Sequence, residues 1–181
     1  MIAIPGIDLD DRQHSRVLQA PLAAPRRGIM LHYDDSSRDD WALEWFNDPR
    51  CTNGYTWLVL DDGRIVELAD PGMRTPHAGP CRTRNANSAY YGIAAATNGQ
   101  TLATAPQLAS IERLCAAVVR YHRWVNPPIV GHDEQAIWTP AYTKNKRLWG
   151  QLGRKVDPTG QRKDRKPIID LNALRAQLSL S

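Results

Sequence analysis

Cysteine is scarce in this chain and does not form a framework. Cys51, Cys81 and Cys115 stand far apart, with no C-x-x-C pair among them. An odd, scattered set excludes a full disulfide scaffold and lacks zinc-finger spacing, so buried or idle thiols are expected. No apolar run approaches the ~20 residues that a membrane span needs. The opening MIAIPGIDLDDRQHS has neither a basic start nor a long apolar stretch, so it does not read as a secretory signal. The expectation is a soluble protein made in the cytoplasm without a signal peptide. Internal repeats, an interdomain linker and a local H-E-x-x-H metal motif are all missing.

What is present suits one folded domain. The 181 residues are 42% hydrophobic and include six Trp and six Tyr, enough for a real core. We read residues 26–178 as the core and 1–25 as a loose N-terminal arm. The net charge of +4 and pI near 9.1 suit an anionic partner such as nucleic acid, a membrane or a cell wall, without selecting one. QRKDRK at 161–166 is the best argument for nucleic acid. The basic residues are otherwise dispersed among 19 acids and no nucleic-acid motif accompanies them, so no nucleic-acid partner is expected.

RRGIMLHY (26–33) reads as a short apolar strand entering a polar turn, and RDDWALEWF as a helix capped by Ser37. In NGYTWLVLDDGRIVEL (53–68), two β-rich runs flank Asp62-Gly63, a strong hairpin signal. Residues 69–88 read as a long loop and Tyr90–Thr97 as a buried strand. Thr104 and Gln107 match a capping box, and Leu108, Ile111, Cys115, Val118 and His122 follow at helical spacing. Pro127-Pro128 is expected to stop that helix before the brief strand Ile129-Val130-Gly131-His132. Residues 133–168 are polar and irregular, with a short helix around 144–150, and Asp170 reads as the N-cap of a terminal helix. Alternating strands and helices indicate an α/β (α+β) layered domain.

Of the five histidines, His122 lies on the apolar face of the long helix and reads as structural, while His14 sits in the charged arm. His32 and His132 have matching contexts, each ending a short apolar strand (IMLH, IVGH) before polar residues. Strand ends are where a rigid scaffold meets solvent, so two adjacent ends could bring together ligands far apart in sequence. A catalytic zinc takes three protein ligands and keeps a fourth position open. Two imidazoles and one carboxylate would suffice, and Asp34, Asp35, Asp133, Glu134 and Asp157 are all eligible as the third.

LHYDDS around His32, the 53–68 hairpin, HAG at 77–79, YYGIAAATNG at 90–99, VGHDE around His132 and RKVDP at 154–158 come in a specific order. This ordered set resembles the zinc-dependent N-acetylmuramoyl-L-alanine amidases, the family of phage lysozyme-type amidases, muropeptide amidases and peptidoglycan recognition proteins. The resemblance covers about residues 26–178. It implies a central mixed β-sheet flanked by helices, with a zinc cleft at the strand ends. It also implies that His32, His132 and Asp157 hold Zn2+ and that Lys155 is the catalytic lysine. By the same resemblance Tyr55 is the tyrosine beside the metal, and His77 lines the substrate groove. Trp138 and Trp149 are candidate groove contacts, whereas Trp41, Trp45, Trp57 and Trp124 read as core.

The chain departs from the family pattern in three places. Acidic Asp34-Asp35 follow the first histidine, Ala94 stands where muropeptide-type members carry a glutamate, and 24 residues separate His132 from Asp157. The expected activity is hydrolysis of the amide between N-acetylmuramic acid and L-alanine in peptidoglycan or muropeptides, by a monomer in a lytic, endolysin-like role. Two alternatives remain: a peptidoglycan-binding module of the same fold without activity, and a cytosolic amidase recycling wall fragments. If the K-x-D stretch at 155–157 is extended, Lys155 and Asp157 point to one side, as a ligand and a charge facing one metal would require.

Overall fold

The computed structural model describes residues 4–7, 9, 11–12, 18–98, 101–137 and 167–179. In chain order the strands among them are β1 (Asp11–Arg12), β2 (Ala20–Pro21), β3 (Gly28–Tyr33), β4 (Trp57–Val59), β5 (Ile65–Glu67), β6 (Met73–Arg74), β7 (Tyr90–Ala95) and β8 (Ile129–Gly131). The helices are α1 (Asp39–Asn47), α2 (Ala86–Ala89), α3 (Ala105–His122), α4 (His132–Gln135) and α5 (Leu171–Ser179). A six-stranded sheet runs β1-β5-β4-β7-β3-β8, and β2 pairs with β6 apart from it. The sheet is mixed: β4 and β5 are antiparallel, while β4, β7, β3 and β8 run parallel to one another and β1 runs parallel to β5. This is the expected layered α/β architecture.

Alternation along the strands divides the core between two faces. Ile29, Leu31 and Tyr33 of β3, with Trp57, Val59, Tyr91 and Ile93, pack with Ile111, Leu114, Cys115 and Val118 of α3 and Leu171 and Leu174 of α5. On the opposite face Leu58, Val66 and Ala94 pack with Ala42 and Phe46 of α1. Met30, Tyr90 and Val130 meet Ala78, Ala86 and Ala89 there.

Local chemistry explains several boundaries. Thr104 and Gln107 form both halves of the expected capping box, at 3.2 and 2.9 Å. Gln107 also donates to the carbonyls of Val59 and Ala96, tying the start of α3 to the sheet. The Asp62-Gly63 hairpin forms with Leu58 opposite Val66, and Gly63 takes the left-handed φ of +89° that closes the turn. Asp170 caps α5 by accepting from the backbone N–H groups of Asn172 and Ala173.

Other expectations are corrected. Ser37 does not cap α1; the helix starts at Asp39 with no side-chain cap, and Asp39 and Asp40 supply the negative charge its N-terminus favours. The Pro127-Pro128 pair does not end α3 either. Arg123 does, in the left-handed conformation with φ of 53°, and its N–H returns to the carbonyls of Arg120 and Val119. The segment 69–88 contains β6 and most of α2. Described parts of the arm belong to the structure: Ile4 is in the core, β1 pairs with β5 and β2 with β6. Trp57 is buried as expected, but Trp41 and Trp45 are exposed on α1. Trp124 stacks on His122, whose Nε2 meets the Tyr91 hydroxyl at 2.9 Å, so His122 is structural as read. The short helix expected around 144–150 lies outside the described residues.

Arg26 holds the 69–89 segment against the sheet. Its guanidinium donates to the carbonyls of Asn87, Ser88 and Tyr90 and to that of Met73, and it lies 4.3 Å from the centroid of the Tyr91 ring. Burial lowers its pKa to about 10, which leaves it cationic at neutral pH.

Candidate active site

β3 and β8 pair in parallel with Leu31 opposite Gly131, and His32 and His132 are the next residues on each. Their rings come together with centroids 4.7 Å apart. His32 lies inside β3 rather than at its last residue, and His132 is the first residue of α4. Both are buried, at 0% and 8% exposure, so the pair sits within the sheet end rather than on the surface.

The turn that carries His132 is anchored from behind. The Glu134 carboxylate accepts from the Gly131 N–H at 2.9 Å and from Arg175 of α5 at 2.5 Å. Glu134 therefore serves as a cap and an ion-pair partner. Asp34, another eligible ligand, accepts from the N–H and hydroxyl of Ser36 and from the Thr97 N–H. Burial raises its pKa to about 6, opposed by those hydrogen bonds.

Tyr55 lies against the pair, its ring 4.9 Å from His32 and 5.7 Å from Phe46. Its hydroxyl donates to the Tyr33 carbonyl at 3.4 Å. His77 comes from the H-A-G segment, and its ring is 5.2 Å from His32 and nearly perpendicular to it. Its Nδ1 is 3.1 Å from Nε2 of His32, and its Nε2 is 3.2 Å from the Tyr90 carbonyl. At 6% exposure His77 is engaged inside the protein on both ring nitrogens. Burial, reinforced by the neighbouring histidines and Arg26, holds its pKa well below the usual histidine value.

Sequence reasoning missed the parts that seat His77. Asn87 accepts from the backbone N–H groups of His77 and Ala78 at 3.0 and 2.7 Å. Gly92 of β7 lies under the ring, where a Cβ would stand 2.8 Å from its Cγ. A glycine within a buried strand is a signal of close approach, and YYGIAA carried it. Asn87 offered no comparable local pattern.

Asp157, Lys155, Trp138 and Trp149 lie outside the described residues. Among the described residues no group of three His, Cys, Asp or Glu is arranged to hold a metal. The His32–His132 pair meets two of the three requirements for zinc: two imidazoles of suitable donor chemistry side by side, on backbone fixed by a parallel strand pair.

A helix-flanked mixed sheet with paired imidazoles at neighbouring parallel strand ends is a layout suited to metal-assisted hydrolysis. The sequence model of the N-acetylmuramoyl-L-alanine amidase family matches residues 22–160, most of the chain. The chain belongs to this family, whose enzymes are amide hydrolases acting on peptidoglycan. Among solved structures it is similar to the AmpD selenomethionine derivative, with TM-score 0.70 and 18% identity over 98% of this chain and 99% of that one. It is also similar to the endolysin N-acetylmuramoyl-L-alanine amidase LysCS of Clostridium intestinale URNW, with TM-score 0.61 and 12% identity over 96% and 98%. A third is peptidoglycan recognition protein LE in complex with tracheal cytotoxin, a monomeric diaminopimelic acid-type peptidoglycan, with TM-score 0.55 and 19% identity over 70% and 79%. At these identities the structures speak for the fold. Comparison with curated proteins gives no significant match.

Proposed function

We propose that the protein is a zinc-dependent N-acetylmuramoyl-L-alanine amidase that cleaves the amide joining the lactyl group of N-acetylmuramic acid to L-alanine. The observation that carries this reading is the juxtaposition of His32 and His132 within the family's fold. Asp157 completes the proposed ligand set by resemblance. Zinc, when bound, supplies Lewis acidity that polarises the scissile carbonyl and makes a water acidic near neutral pH.

The chain's own residues supply position and charge. His32 and His132 present their imidazoles from a rigid sheet end, so ordering costs little when a ligand binds. Tyr55, packed between Phe46 and His32, stands beside the pair and can orient a water or donate to a developing oxyanion. Lys155, carried over from the resemblance, provides a positive charge for the tetrahedral intermediate, a contribution commonly worth ~3–4 kcal/mol. Lys155→Ala is expected to retain zinc while losing most turnover; wild-type release of stem peptides from sacculi would remove it from that role.

We also propose a lytic role on intact wall, acting after release or delivery, in line with the fold shared with an endolysin along nearly the full length of both chains. Mass spectrometry of products from sacculi and from soluble muropeptides, with and without chelator, tests activity and role together. Chelator-sensitive release of stem peptides from sacculi is expected. Cleavage of soluble muropeptides alone would replace the lytic role with recycling, and binding without cleavage would make the protein a recognition module.

A further inference from the structure

His77 is buried, yet the reaction as described gives it no task. Its two hydrogen-bond partners differ in kind. The Tyr90 carbonyl can only accept, so Nε2 of His77 carries the proton in that 3.2 Å contact. A neutral His77 then has its lone pair on Nδ1, the atom 3.1 Å from Nε2 of His32. His32 must donate in that contact, so its proton sits on Nε2 and Nδ1 becomes its basic nitrogen. His77 is buried at 6% exposure, with its ring held between the His32 imidazole and the Tyr90 carbonyl.

The surroundings hold this arrangement from several sides. Asn87 receives the backbone N–H groups of His77 and Ala78, which fixes the loop. Gly92 admits the ring against β7, and a methyl group there would lie 3.1 Å from both Cδ2 and Nδ1. Arg26 donates to the same Tyr90 carbonyl that receives His77. Arg26 and His77 thus converge as donors on one carbonyl, and His77 in turn accepts from His32. Hydrogen bonds to the outer nitrogen of a ligating histidine commonly select its tautomer and orientation.

We propose that His77 is a positioning residue that locks His32 in the Nε2–H tautomer and presents Nδ1 as its metal-binding nitrogen. The assignment rests on the zinc amidase reading and gives the H-A-G histidine a role behind the ligand instead of on the substrate wall.

The experiment pairs ring-nitrogen NMR of the 15N-histidine-labelled, metal-free protein with zinc titration against a chromophoric chelator. The wild-type spectrum should report the Nε2–H tautomer for His32. His77→Leu removes the acceptor and should weaken zinc binding about 10–100-fold. His77→Asn returns an oxygen acceptor near the position of Nδ1 and should recover most of that affinity, a rescue that loss of packing alone would not produce. An Nδ1–H tautomer for His32 overturns the proposal, as does wild-type zinc affinity in His77→Leu. The NMR measurement uses wild-type protein and decides the question even if His77→Leu does not fold. Wild-type protein that binds no zinc overturns the amidase reading and this proposal together. Zinc-binding wild type with an indifferent His77→Leu overturns this proposal only.

Discussion

The two faces of β3 make a controlled comparison, because the same six buried residues serve both. Ile29, Leu31 and Tyr33 enter an apolar layer under α3 and α5, where large aliphatic and aromatic side chains fill the volume. Met30 and His32 point the other way, towards small residues such as Ala78, Ala94 and Gly92 and towards the imidazoles of His77 and His132. One face gains from burying carbon. The other forgoes some of that gain to hold three imidazoles, each needing a partner for its polar atoms. The packed face fixes where the strands lie, and the polar face is a defined site for that reason.

Four substitutions would break or sharpen this contrast. The largest effect is expected from His132→Ala, which should abolish zinc retention and with it hydrolysis, while leaving the α3 face and the fold intact. Elemental analysis alongside circular dichroism checks it, and full zinc occupancy would refute the ligand assignment. Leu114→Ala, in the middle of the apolar face, should cost about 2–5 kcal/mol of stability. Its zinc content per folded chain should stay at the wild-type value, as denaturant unfolding and metal analysis together would show.

Gly92→Ala probes the polar face without removing a functional group. The added methyl collides with His77, so about 1–3 kcal/mol of overpacking strain is expected, together with weaker zinc binding. Wild-type affinity in this variant would mean that the His77 ring relocates without consequence.

The smallest effect concerns His122 at the border of the apolar face. Burial first, and then the Arg26 charge, lowers its pKa below the ordinary 6.5. The unfolded chain therefore takes up this proton before the folded one does. The contribution is fully present above about pH 6.5 and is lost as pH falls below that value towards the depressed folded one. His122→Gln should flatten the stability profile slightly between pH 7.5 and about 5.5, measured by urea midpoints on metal-free protein.

Legibility in the sequence followed the range of the interactions. The Thr104–Gln107 capping box, the Asp62-Gly63 hairpin and the Asp170 cap each involve residues within a few positions, and each formed as read. The end of α3 was misread because Arg123 enters the left-handed region without the glycine that usually announces it. The Ser37 cap failed because serine at a plausible position is only a propensity; Asp39 and Asp40 took over the electrostatic part. Exposed Trp41 and Trp45 show that hydrophobicity on a nine-residue helix does not reveal which face meets the core.

The sequence alone determined the main strands and helices, the family, and the matching contexts that singled out His32 and His132. These depend on local pattern and on the order of short motifs. Tertiary structure decided that β3 and β8 are neighbours, that His32 and His132 therefore touch, and that His77 turns inward to meet the first of them. It also decided that Arg26, through the Tyr90 carbonyl, Asn87, through the backbone, and Gly92, under the ring, together seat His77 from positions as many as 66 residues apart, 92 minus 26. The partner of a histidine nitrogen is a fact about three-dimensional proximity, and a linear pattern carries no record of it.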